Sequence, residues 1–118
     1  MVATILKSIR SFKYAFLGIG WVVRSENNAR IHLAATISGI IAAFYFNISK
    51  SEWLWIILCI ALVWITEIIN TGLEKLVDLV SPNFHPLAGK VKDLGAAAVL
   101  IAALFSIICA VVIFSSYF

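Results

Sequence analysis

Glu67-Ile68-Ile69-Asn70-Thr71-Gly72-Leu73-Glu74-Lys75-Leu76-Val77-Asp78 is the stretch that decides the fold. It follows without interruption on Trp53 to Ile65, an apolar run with no charged residue. At about 100° per residue, Glu74 and Asp78 fall within about 20° of Glu67 on a helix, with Asn70 and Thr71 flanking them. A hydrophobic helix therefore runs out into a stripe of three carboxylates, one amide and one hydroxyl. Carboxylates held on one stripe repel unless a cation or a proton sits among them. Carboxylate oxygens at one helical spacing suit a hard divalent ion, and Mg²⁺ is usually held together with phosphate. The competing reading is a solvated face just outside a membrane. Glu67 argues against it, because it still lies within the hydrophobic stretch, where ionisable groups mark function.

Composition sets the class. Of the 118 residues 63% are hydrophobic, and mean hydropathy is +1.04. Soluble domains average about 45–50% apolar residues, so the chain is read as all-α and integral to a membrane. The 13% of charged residues are mostly crowded into residues 7–30 and 74–93, and net charge is +3. Basic residues beside apolar segments point to anionic membrane surface or phosphate and not to nucleic acid, which calls for a larger basic patch. Cys59 and Cys109 both fall within apolar segments and read as small apolar side chains, not as a disulfide or a metal pair.

Taken in order, the chain predicts a single domain over residues 1–118. Apolar residues at 5, 9, 12 and 16, with basic ones at 7, 10 and 13, describe an amphipathic surface helix over about 4–25. Three spans follow, at about 29–46, 53–70 and 94–114. The second continues as a helix to about Val80, and Ser51 with Glu52 reads as its start. Pro82 and Pro86 read as its stops, and Asp93 as the cap or first-turn residue of the third span. Lys and Arg gather in the N-terminal segment and the 81–93 loop, whereas the 47–52 turn holds only Lys50. The positive-inside rule puts the N-terminus and the 81–93 loop in the cytoplasm.

That topology collects nearly all polar residues at the cytoplasmic end: Glu26, Glu67, Glu74, Asp78, His85, Lys90, Lys92 and Asp93. Several carboxylates to hold Mg²⁺, lysines to neutralise phosphate and one carboxylate at the lipid boundary are the parts phosphoryl transfer needs. No Gly-rich phosphate loop or protein-kinase signature is present.

The pattern Glu67-x-x-Asn70-Thr71-x-x-Glu74-x-x-x-Asp78, then His85-x-x-x-Gly89-x-x-Lys92-Asp93-x-x-Ala96, resembles the small bacterial integral-membrane lipid kinases, the diacylglycerol kinase and undecaprenol kinase family. Arg10-Ser11-Phe12-Lys13-Tyr14 and Glu26-x-Asn28-x-Arg30-Ile31-His32 look like the undecaprenol kinase branch. The resemblance implies ATP-dependent phosphorylation of a membrane lipid hydroxyl, either undecaprenol or diacylglycerol. It implies a homotrimer in the bacterial cytoplasmic membrane, with active sites shared between neighbours. Glu67 resembles the family's catalytic base, with Asn70 beside it. Glu26 and Glu74 resemble the Mg²⁺ ligands that hold the ATP phosphates. Lys7, Arg10, Tyr14, Phe84, His85, Lys92 and Asp93 fall where the family contacts the nucleotide. His32 stands where the diacylglycerol branch has an acidic residue, and Phe84 replaces a Tyr.

A different class, a subunit of a small proton-coupled transporter using Glu67, predicts four spans and a charge at the midplane. Neither is in the pattern. A third reading makes the carboxylate stripe the partner of a basic helix in a structural subunit.

Overall fold

The computed structural model describes all 118 residues as four helices without a strand: α1 (Val2–Ser25), α2 (Asn27–Tyr45), α3 (Lys50–Val80) and α4 (Pro86–Ser115). α3 and α4 pack on each other along much of their length, and α2 lies more loosely against α3. The molecule measures 50 × 47 × 21 Å, a flat shape in which α1 packs only sparsely on the other helices. Only Val22 of α1 is buried, and Ile5, Leu6, Ile9, Phe12 and Phe16 are all exposed.

α3 and α4 are long and apolar enough to cross a membrane, and most of each helix's apolar window is exposed. The core helix of a soluble protein would be mostly buried, so outward apolar faces on both helices fit a hydrocarbon surround. α2 is not among the helices that meet this measure. Its 19 residues carry Asn27, Asn28, Arg30, His32, Thr36 and Ser38, which lower its hydropathy.

Two helix starts differ from the sequence reading. α3 begins at Lys50 with Ser49, not Ser51, as its N-cap. Ser49 Oγ accepts from the Glu52 N–H at 3.2 Å and Glu52 Oε1 accepts from the Ser49 N–H at 3.0 Å. This reciprocal box satisfies two otherwise orphaned donors, which a start at Ser51 would not do. α4 begins at Pro86, eight residues before the expected Leu94. Pro86 thus starts a helix: it occupies the first turn, where a missing N–H costs nothing. His85 caps the helix through Nδ1, which accepts from the Leu87 N–H at 3.1 Å. Asp93 sits a further two turns inside and caps nothing.

At the opposite end, Ala43, Ile48, Ile56 and Ile113 form a buried cluster flanked by Phe46, Trp53 and Phe114. The α2–α3 turn closes over it, with Asn47 at φ 51°, a left-handed conformation that Asn tolerates well. The Tyr117 hydroxyl donates to Glu52 Oε1, tying the C-terminus to the start of α3. This bond, with the Ser49 amide, holds the Glu52 carboxyl below its ordinary value.

Candidate active site

The stripe on α3 passes from enclosed to open. Glu67 is 2% exposed, Asn70 8% and Thr71 4%, Glu74 is half-buried and Asp78 is exposed. α4 covers the inner part. A Cβ built on Gly95 would collide with Asn70 Oδ1, so this glycine is what lets α4 approach α3 here. Gly95 therefore spends its small surface within the chain, and only Ala96, Ala97 and Ala98 of the small-residue run remain exposed. One turn further out, Asn70 Nδ2 donates to Glu74 Oε1 at 3.2 Å. The amide holds the Glu74 carboxylate without neutralising it.

α2 supplies the other wall. His32 Nε2 lies 3.3 Å from Glu67 Oε2. Both atoms are enclosed, and neither makes an aligned hydrogen bond with any other group in the chain. Asn70 Oδ1 and Thr71 Oγ1 are likewise buried without a partner. Leaving a buried polar atom unmatched costs about 1–3 kcal/mol, so three such atoms on one turn of α3 and a fourth on the facing His32 mark this spot as kept for something other than stability. A cleft of about 340 Å³ opens between α2, α3 and α4. His32 and Thr36 are on its wall, and Ile31, Ile60, Val63 and Ile107 contribute apolar surface.

Below the stripe, Asp78 meets Lys92 at 2.6 Å. Asp78 is thus the ion-pair partner of a basic residue on α4. The Asp78 hydrogen bond holds the Lys92 ammonium, which precedes the apolar stretch beginning at Leu94, above its ordinary value. Asp78, Lys92, Ser81, Asn83, Phe84 and His85 share a second, polar cleft of about 290 Å³. The structure thus brings Phe84, His85 and Lys92 together. Asp93 is exposed on α4.

Glu26 is the joint between α1 and α2. It serves both as C-cap and as N-cap in an extended conformation, and its side chain makes no capping bond. Arg30 builds this corner. Its guanidinium donates to Val23 O at 3.2 Å, Arg24 O at 2.6 Å and Asn27 Oδ1 at 3.2 Å, so it satisfies the free carbonyls at the end of α1. In the sequence Arg30 stands only as a member of the Glu26-x-Asn28-x-Arg30-Ile31-His32 pattern. Its capping work could be found only in three dimensions, because the acceptors are backbone atoms six and seven residues back. Lys7, Arg10 and Tyr14 are exposed along α1, and their side chains make no hydrogen bond or ion pair within the chain. No three His, Cys, Asp or Glu side chains converge on one point.

Residues 13–114 match the family described as Prokaryotic diacylglycerol kinase. The chain belongs to this family. An undecaprenol kinase of Bacillus subtilis is 38% identical over 105 residues, which cover 89% of this chain and 85% of that protein. A diacylglycerol kinase of Synechocystis is 37% identical over 99 residues, 83% of this chain and 57% of that protein. The diacylglycerol kinase of Escherichia coli K12 is 29% identical over 110 residues, 93% and 90% of the two chains. The matched region takes in the whole of α2, α3 and the polar end of α4. The chain is therefore a member of a lipid kinase family, and in it the stripe residues Glu67, Asn70 and Glu74 lie toward one end of an apolar helix pair.

Proposed function

We propose that the chain transfers the γ-phosphoryl group of ATP to the hydroxyl of a membrane lipid at the cytoplasmic face of the bacterial inner membrane. The observation that carries this is the placement of Glu67: a carboxylate 2% exposed, facing His32 on the wall of the apolar cleft, one helical turn inside Asn70 and two inside Glu74. In this reading the lipid hydroxyl oxygen attacks the γ-phosphorus, the bond from phosphorus to the ADP oxygen breaks, and the hydroxyl proton goes to Glu67. The chain's own residues position the reactants and stabilise charge, which is most of what phosphoryl transfer requires.

Mg²⁺ fits the donors present. It keeps several waters and binds phosphate together with one or two carboxylates, so a converging cage of three acids is unnecessary. Glu26 has an uncommitted carboxylate, and Glu74 is committed only to the Asn70 amide. These two would hold the ion, which when bound neutralises charge on the ATP phosphates. Asn70 keeps Glu74 in place. Lys92, His85, Phe84, Asp93, Tyr14, Lys7 and Arg10 form the nucleotide side of the site.

α2 is read as a third, shorter span, with α1 on the cytoplasmic surface and the N-terminus inside. Glu26 comes from the α1–α2 corner and Glu74 from the α3 stripe, and the exposed Ala96–Ala98 face offers close approach for a neighbouring chain. A homotrimer with shared sites accounts for both.

The acceptor class is a hydroxyl at the headgroup level on a long apolar tail, met by a polyprenol and by a diacylglycerol alike. Detergent-purified protein with labelled ATP and Mg²⁺, offered undecaprenol and diacylglycerol in turn, tests the reading. Label in at least one lipid supports it, and the preferred lipid names the acceptor. Folded protein that labels neither refutes it.

A further inference from the structure

α2 is joined to α3 by two polar contacts stacked on one face. His32 and Thr36 are four residues apart on α2, and Trp64 and Glu67 three apart on α3, so each pair occupies successive turns of one helix face. In the deeper rung the Trp64 indole N–H donates to Thr36 Oγ1 at 2.9 Å. Thr36 Oγ1 in turn donates to the His32 carbonyl at 2.7 Å. In the rung nearer the polar end His32 Nε2 faces Glu67 Oε2 at 3.3 Å. The chain from indole to hydroxyl to the His32 backbone carbonyl ties this turn of α2 to α3, and from that turn the imidazole faces the Glu67 carboxylate.

Interhelical hydrogen bonds inside membranes are weak on average, so two rungs add little stability. What they do is set register. A slip of α2 by one residue would rotate His32 about 100° off Glu67. The two carboxylate oxygens also differ: Oε2 is enclosed against His32, whereas Oε1 is not among the fully enclosed atoms and makes no hydrogen bond.

We propose that His32 is the positioning residue for Glu67: its Nε2–H holds Oε2 and leaves Oε1 as the oxygen that takes the acceptor's proton. This rests on the reading of Glu67 as the base. The 3.3 Å contact is off-axis in the free chain, and such contacts tighten in the reacting complex. A base misplaced by about 1 Å can cost on the order of 10²-fold in rate.

The test compares wild type, His32→Ala, His32→Gln, His32→Asn and Glu67→Gln for kcat on lipid alcohol and for Mg²⁺–ATP affinity by calorimetry. A Gln amide N–H reaches the place of Nε2, whereas the shorter Asn amide does not. His32→Ala is expected to lose about 10- to 100-fold in kcat with nucleotide affinity unchanged, and His32→Gln to recover most of it. His32→Ala within about twofold of wild type overturns the proposal, as does a parallel loss of nucleotide affinity. If the Ala variant does not fold, His32→Gln should still exceed His32→Asn by about fivefold or more; equal rates overturn the proposal. The arms separate the two claims. Wild type that labels no lipid brings down the kinase reading itself, whereas active wild type with inactive Glu67→Gln leaves that reading standing whichever way His32 falls.

Discussion

Gly95 lies so close to Asn70 that no side chain fits between them; a Cβ at position 95 would overlap the amide oxygen. In an exposed helix Gly→Ala gains up to about 1 kcal/mol from propensity alone. Here Gly95→Ala should do the opposite. The melting temperature in detergent should fall and activity with it, because α4 must move or Asn70 must leave its rotamer. Adding Asn70→Ala should restore the melting temperature and not the activity, since the obstacle and the functional amide are the same group. A Gly95→Ala chain at least as stable as wild type would show that the contact is slack.

Arg30 holds the end of α1 through two backbone carbonyls. Arg30→Lys keeps the charge but cannot make the same forked contacts. It should loosen the corner that carries Glu26, giving faster proteolysis near Arg24 and Mg²⁺–ATP affinity several-fold weaker, with the rate at saturating nucleotide nearly unchanged. Wild-type affinity in this variant would separate the corner from the nucleotide.

Much of this was legible in the sequence. The period of the apolar residues and the end of charge-free Trp53–Ile65 locate α3, and i, i+3, i+4, i+7 spacing puts Glu67, Asn70, Thr71 and Glu74 on one stripe. The structure adds the gradient along that stripe: α4 packs directly on Asn70 through Gly95, whereas Asp78 meets α4 only through the ion pair with Lys92 and stays exposed. The start of α4 was misread because Pro86 counts as a stop or a start according to which side it is read from, and only the His85 cap decides. The Glu67–His32 contact was out of reach for another reason. Residues 35 positions apart on different helices meet only when register is fixed, and Trp64–Thr36, which fixes it, is itself a long-range contact.

Glu26→Ala and Glu74→Ala should each weaken Mg²⁺–ATP binding by about tenfold or more, partly rescued by raised Mg²⁺, since a ligand and not the base is lost. Calorimetry decides. Unchanged affinity in both variants would remove these two carboxylates from the metal site.

If Glu26 of one chain serves with Glu67 of another, mixing Glu67→Gln chains with Glu26→Ala chains should regain activity. Some interfaces then receive both intact residues. Mixed oligomers verified by differential tags that stay as inactive as either parent would show that each chain builds its site alone.

The most direct measurement on the central claim is single-turnover phosphoryl transfer by Glu67→Gln. Glutamine keeps the shape of the side chain and can still meet His32, but it cannot accept the acceptor's proton. Loss of a general base costs about 10²–10⁴-fold in rate. The account predicts a fall of that size in label transferred to the lipid, with Mg²⁺–ATP affinity unchanged. A Glu67→Gln chain that keeps more than about a tenth of wild-type turnover would contradict it.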